Sequence, residues 1–308
     1  MSSDKSCNLC PHYCPVDRES GQKGRCSAGQ RVEISSAFLH HGEEAPISGL
    51  NPAEGGSGTI FFARCNLRCI FCQNWEISQT LPSLKSDSWE APADELADIM
   101  LELQARGAYN INLVSPTPHV RQIEKALRIA KSRGLTVPIV YNSGGYDSLE
   151  SLRIMDGLVD IYMPDAKFAP LNEEDADSPD PLASRLFGAA DYVRVNRLAL
   201  LEMFRQVGHL KPERTVPARR GLLVRHLVMP DDLARTSRML PWLAENLGPE
   251  LRLNLMAQYR PMFLVRKRPD EYADLPGLTR PLRIDEYQAA ANQTRAVGLK
   301  RAFIRPHF

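Results

Sequence analysis

Seven cysteines stand at positions 7, 10, 14, 26, 65, 69 and 72, and none follows in the remaining 236 residues (308 minus 72). Three of them form the run Cys65-Asn-Leu-Arg-Cys69-Ile-Phe-Cys72, a C-x3-C-x2-C pattern. At i, i+4 and i+7 these thiols fall on one side of a helical or near-helical turn, so they can converge on one object. A closed zinc site or an ordinary iron–sulfur cluster takes four protein ligands. Three thiolates on a [4Fe-4S] cube leave one iron open, and an open position is where a bound metal does chemistry. The plainer alternative is a small zinc site that borrows a histidine or another ligand.

The other four, Cys7, Cys10, Cys14 and Cys26, are spaced C-x2-C-x3-C-x11-C. Four thiolates close a tetrahedral site, as structural zinc or as a second cluster, and His12 can replace one ligand. A redox disulfide pair or free buried thiols are the bland readings. Zinc would only hold the segment, whereas a second cluster could relay electrons or anchor a substrate. Spacing does not choose between them.

The run Cys-Asn-Leu-Arg-Cys-Ile-Phe-Cys-Gln-Asn over 65–74, with Phe71 before its last cysteine, resembles the signature of the radical S-adenosylmethionine (SAM) superfamily. Within that superfamily it is similar to the activating enzymes of glycyl radical enzymes, the pyruvate formate-lyase activating enzyme-like group above all. The resemblance covers most of residues 7–290. It implies an α/β fold, a partial (β/α)6 barrel with a Cys-rich N-terminal extension. Cys65, Cys69 and Cys72 would hold a [4Fe-4S] cluster whose open iron binds the amino and carboxylate groups of SAM. One electron would cleave SAM to methionine and a 5′-deoxyadenosyl radical, which abstracts a hydrogen atom.

The resemblance also implies cofactor contacts. Phe71 is one. Ser115 and Thr117 stand where the family has a Gly-Gly-Glu-type run. Asn142 and Ser143 belong to Tyr141-Asn-Ser-Gly-Gly145, similar to the family's Asp-Thr-Asn-Gly turn but lacking its acid. Met163-Pro-Asp-Ala-Lys167 matches the activating enzymes' Met-x-Asp-x-Lys run, which makes Met163, Asp165 and Lys167 contacts, Asp165 directly or through a bound cation. Implied partners are a one-electron donor such as flavodoxin or ferredoxin, and a glycyl radical enzyme. Four cysteines ahead of the signature depart from the simplest activating enzymes. A small metabolite or peptide is therefore the second substrate reading, and a non-catalytic iron–sulfur or zinc protein the third. The lack of cysteine after Cys72 argues against a C-terminal auxiliary-cluster domain.

The elements that must position these residues follow a rhythm. Thr59–Ala63 is a β-type run feeding the three-cysteine motif. Leu96, Ile99, Met100 and Leu103 mark a helix over 94–106, with Pro92 before it and Gly107 after it. Further strands are expected at 110–114, 137–141, 158–163, 222–229 and 251–256. Helices are expected at 120–133, 149–155, 182–187, 192–207, 231–247 (interrupted at Pro241) and 285–297. Strands alternating with helices imply βαβ units and a parallel sheet. An open doubly wound sheet competes with the partial barrel. Three segments result: a Cys-rich 1–56, a repeat region 57–256, and a lid or edge segment 257–308. Arg225 and His226 lie on the fifth strand, where a histidine reads as a satisfied core group. In Phe38–Glu44, His41 and Glu43 read first as surface charge, with a reach to the barrel mouth by either as the alternative.

The net charge is +1, which speaks against a nucleic-acid scaffold or a polybasic membrane binder. No apolar run approaches a membrane span, and Met1–Cys7 offers no signal-peptide core. An odd cysteine count suits a disulfide framework poorly, so the expectation is a soluble, cytoplasmic protein.

Overall fold

The computed structural model describes residues 6–51, 54–79, 88–211 and 217–304. The first five residues of the leader reading, 52–53 of the Gly/Pro-bearing linker and 305–308 of the last segment lie outside them. In chain order the elements are β1 (Val32–His40), α1 (Ala45–Ser48), β2 (Ser57–Phe62), α2 (Trp75–Ser78), β3 (Trp89–Ala91), α3 (Ala93–Ala105), β4 (Asn110–Val114) and α4 (Val120–Ser132). There follow β5 (Ile139–Ser143), α5 (Leu149–Met155), β6 (Ile161–Pro164), α6 (Pro181–Phe187), α7 (Tyr192–Val207), β7 (Gly221–Leu227) and α8 (Thr236–Leu247). The chain closes with β8 (Arg252–Met256), α9 (Phe263–Lys267), α10 (Ile284–Ala296) and β9 (Phe303–Ile304).

One sheet results, in the order β3-β1-β2-β4-β5-β6-β7-β8-β9. From β2 to β9 every neighbouring pair is parallel. β1 runs antiparallel to β2, and β3 antiparallel to β1. The six expected strands form the parallel run β2 and β4–β8.

Side-chain alternation gives the sheet two unlike faces. Ile60, Ile111, Leu113, Tyr141, Val224 and Leu253 point to one face and join the large apolar core with the long helices. In α4, Val120, Ile123, Ala126, Leu127 and Ala130 repeat at helical spacing and are all buried there. Each such Leu or Ile contributes about 1.5–3 kcal/mol by leaving water. The opposite face carries a smaller cluster of Val140, Ile161, Met163 and Leu223, capped by Ile47 from the one-turn helix α1. Polar side chains share that face, among them Asn110, whose amide group donates to the Ile47 carbonyl at 2.7 Å.

Among the differences from the sequence expectation, two boundaries and one interruption have a plain physical cause. β5 begins at Ile139, because Pro138 has no amide to give a ladder. α8 begins at Thr236 rather than 231, since Asp231, Asp232 and Arg235 adopt left-handed φ of 55°, 51° and 53°. Those turns are held from outside: Asp231 pairs with Arg280, and Arg235 donates to the Ala169 carbonyl. Pro241 does not break α8. Its exposed ring sits in the second turn, where only its own missing amide is lost.

No helix among the described residues is long and apolar enough to cross a membrane.

Candidate functional site

Cys65, Cys69 and Cys72 lie in the loop between β2 and α2, past the C-terminal end of a parallel strand, where such sheets place their sites. The loop is not helical, which corrects the expectation of a helical turn. Its path is imposed by neighbours. Arg64, at φ 75°, turns the chain out of the strand. The amides of Arg68 and Ile70 donate to the carbonyls of Phe187 and Leu186 at 2.7 and 3.1 Å, and the Leu264 amide donates to the Ile70 carbonyl at 3.0 Å. The end of α6 and the start of α9 thus shape the loop, and both lie far away in sequence.

All seven cysteines are free thiols. Burial pushes the Cys65 thiol up to about 11 and raises Cys69 as well. Left alone, these thiols stay protonated; a bound metal's positive charge is what ionises a coordinating thiol in such a place. The Leu67 amide lies 3.4 Å from the Cys65 sulfur, and the Ser78 hydroxyl 3.2 Å from that of Cys72. Hydrogen bonds of this kind to sulfur accompany iron–sulfur ligation. Among the described residues no three Cys, His, Asp or Glu side chains gather closely enough for one metal ion. Three thiols in one loop are the donor set that a [4Fe-4S] cluster with one open iron would take.

A cavity of about 240 Å³ opens beside Cys69 and Cys72, walled by Phe71, Asp165, Lys167, Arg225, Met256 and Tyr259. Phe71 is buried and meets Phe187 and Tyr259 edge-on, with centroids 5.9 and 5.6 Å apart. Asp165 is the hub of the charges. Lys167 Nζ lies 2.5 Å from one carboxylate oxygen and Arg225 Nε 3.1 Å from the other. Burial pushes the Asp165 carboxyl up, but the cations of Lys167 and Arg225 outweigh it and hold it below its ordinary range. For Lys167, burial favours the neutral amine, yet Asp165 and then the nearby Cys69 sulfur hold it charged. Arg225 also donates to Asn142 Oδ1 at 2.5 Å and reaches within 3.8 Å of Glu43.

Glu43 is therefore no surface charge, which corrects the sequence reading. Its side chain is 11% exposed, and it accepts from Asn112 at 2.9 Å on the face of the sheet that α1 caps. The turn before α1 carries it under the sheet. Glu44 is carried likewise and accepts from Asn254 at 2.6 Å. His41 is exposed. His226 sits in the core as read, its ring between the Ala166 carbonyl and the Thr236 hydroxyl at 2.5 and 2.8 Å.

The remaining expected contacts divide. Asn142 and Met163 face the same side as Arg225, Met163 at the apolar floor beside Ile47. Ser115, at φ 60°, donates its amide to the Asn142 carbonyl at 2.9 Å and so ties the end of β4 to β5. Thr117 and Ser143 do not line the cavity: their hydroxyls donate to the buried carboxylate of Asp147 at 2.7 and 2.6 Å, and the Tyr141 hydroxyl adds a third bond at 2.9 Å. Asp147 is an acid the sequence reading missed. It fastens the loops that follow two adjacent strands. Asp147→Ala is expected to orphan three hydroxyls and cost about 1–3 kcal/mol, read as a lower urea midpoint with the slope unchanged. Gly145 completes the fastening, since a Cβ there would lie 2.1 Å from the Asp165 carbonyl oxygen.

The N-terminal cysteines lie beside this site. Cys10 and Cys26 are buried, and burial pushes the Cys10 thiol up to about 12. His12 donates to the Asn66 carbonyl at 2.9 Å.

A model of the radical SAM superfamily matches residues 59–167, from β2 through the Asp165–Lys167 run. An uncharacterized protein of Methanocaldococcus jannaschii is 32% identical over 271 residues, which cover 86% of this chain and 69% of that one. Among solved structures, HydG, a maturase of the [FeFe]-hydrogenase, aligns with a TM-score of 0.51 and 10% identity over 84% of this chain and 52% of HydG. A structure of anSMEcpe with bound AdoMet aligns with a TM-score of 0.48 and 9% identity, over 76% of this chain and 57% of that one. The chain thus spans little more than half of either solved structure.

Proposed function

The chain belongs to the radical SAM superfamily, whose members are enzymes built on a [4Fe-4S] cluster and SAM, and on that premise we propose that it activates a partner protein by removing a hydrogen atom from a backbone glycine. The observation that carries the chemistry is the convergence of Cys69 and Cys72 with Asp165 and Lys167 on one cavity, with Cys65 in the same loop. The match of 163–167 to the activating enzymes' run supports the glycine as target. We read the sheet as a partial (β/α)6 barrel: its long helices lie on one face, and its other face is polar and plugged by α1.

With the three thiolates holding the cluster, one electron would cleave SAM to methionine and the hydrogen-abstracting 5′-deoxyadenosyl radical. The chain's own residues do the rest. Lys167, fixed by Asp165, presents a cation for the SAM carboxylate, and the polar groups of Asn142 and Asp165 are available to the sugar and amino groups. Phe71, Phe187 and Tyr259 wall off water, which guards a radical from side reactions. A flavodoxin- or ferredoxin-class donor supplies the electron, and a cytoplasmic setting suits seven free thiols.

The test is incubation of the reduced, reconstituted protein and SAM with a glycyl radical enzyme from the same genome. A glycine-centred electron paramagnetic resonance doublet is expected on the partner. SAM cleavage with no such radical on any candidate partner rejects the glycine target and leaves the cofactor chemistry standing.

A further inference from the structure

The chain folds its four N-terminal cysteines into one place. The Cys7 amide donates to the Cys14 carbonyl at 2.9 Å and the Tyr13 amide to the Cys10 carbonyl at 3.1 Å, which draws three of them into one tight loop. The fourth comes in along Gly24. A Cβ on Gly24 would lie 2.9 Å from the Cys14 sulfur, so only glycine lets residues 24–26 close on it, and the next amide, that of Arg25, lies 3.4 Å from the same sulfur. All four are free thiols, with Cys10 and Cys26 buried.

The two groups of cysteines also touch. The Arg68 guanidinium spans them, donating to the carbonyl of Cys65 at 2.9 Å and to the carbonyl of Arg25, the residue before Cys26. His12, between Cys10 and Cys14, bonds the carbonyl of Asn66, the residue after Cys65. One side chain's length separates the two backbones.

We propose that Cys7, Cys10, Cys14 and Cys26 hold a second iron–sulfur cluster that passes electrons to the one on Cys65, Cys69 and Cys72. In each transfer the second cluster is oxidised by one electron and the first reduced by one; a low-potential one-electron donor protein then restores the second. A zinc ion would hold the segment but carries no electron, whereas the Arg68 link to Cys65 suits an electron carrier. Four thiolates leave no open iron, which suits a relay and not a SAM site. The relay rests on the proposed function, whereas occupancy of the four-cysteine site does not.

Metal and sulfide analysis of the anaerobically reconstituted full chain tests occupancy. About eight irons and eight sulfides per chain are expected, falling to about four of each when Cys65, Cys69 and Cys72 are all replaced by alanine. About four irons with one zinc in the wild type overturns the inference; if 5′-deoxyadenosine still forms in that sample, the proposed function survives. The relay is read in Cys26→Ser. The ratio of its 5′-deoxyadenosine rate with reduced flavodoxin to that with dithionite is expected to fall at least about tenfold relative to wild type. An unchanged ratio overturns the relay.

Discussion

Cys69→Ala is expected to reduce 5′-deoxyadenosine formation from SAM to the level of a protein-free blank. In the proposed site the thiol is the middle ligand of a set of three, and its loss would leave the cluster two. The loop that carries it is shaped by hydrogen bonds to Phe187, Leu186 and Leu264, not by a helix that could shift its register. Removing one sulfur opens only a small void, and the melting temperature of the metal-free variant is expected to stay within about 2–4 °C of metal-free wild type. Loss of product with the fold retained thus reads as loss of the cluster. Iron analysis of the same sample is expected to show the loop's share missing. Product formation at a measurable fraction of wild type contradicts the ligand assignment.

Arg225→Met is expected to destabilise the protein by about 3–5 kcal/mol, the cost of stranding the buried partners of an ion pair. Its side chain is 18% exposed and lies against Asp165, Asn142 and Glu43, two of them carboxylates. Methionine fills much of the volume but satisfies neither acid. Lys167 remains to Asp165, whereas Glu43 keeps only Asn112. The pH dependence follows from Asp165. Its carboxyl is held below the ordinary range in the fold, so the stability it contributes is present above the unfolded value, about 3.9, and is lost as pH falls through the lowered one. The gap between wild type and Arg225→Met is therefore widest near neutral pH and narrows in acid. Urea unfolding at neutral and acidic pH measures it; a gap that does not change with pH removes Asp165 from the account.

Much of the fold was legible because strand and helix periods leave marks in sequence. The apolar stripe of α3 and the run Asn110–Val114 appear where they were read. The boundaries that moved did so through contacts invisible in a local window, such as Arg280 on Asp231 and Arg235 on Ala169. The site was legible wherever one stretch of chain carries it, as in the cysteine run and in Met163–Lys167. Parity along strands held more than was taken from it. Leu223, Arg225 and Leu227 share one face of β7 and His226 the other, which separates a cavity cation from a core histidine. Tyr141 and Ser143 share the face away from Asn142, and there Asp147 collects their hydroxyls. Glu43 left no such mark, because its burial depends on a turn that carries it beneath strands almost seventy residues onward.

The central claim is that this chain cleaves SAM reductively at a cluster held by Cys65, Cys69 and Cys72. The direct measurement adds SAM to the anaerobically reconstituted, dithionite-reduced full chain and follows 5′-deoxyadenosine by chromatography, with Cys69→Ala alongside. Product that accumulates with the wild type and not with the variant is the expected result. A reduced, iron-loaded wild type that leaves SAM intact contradicts the account.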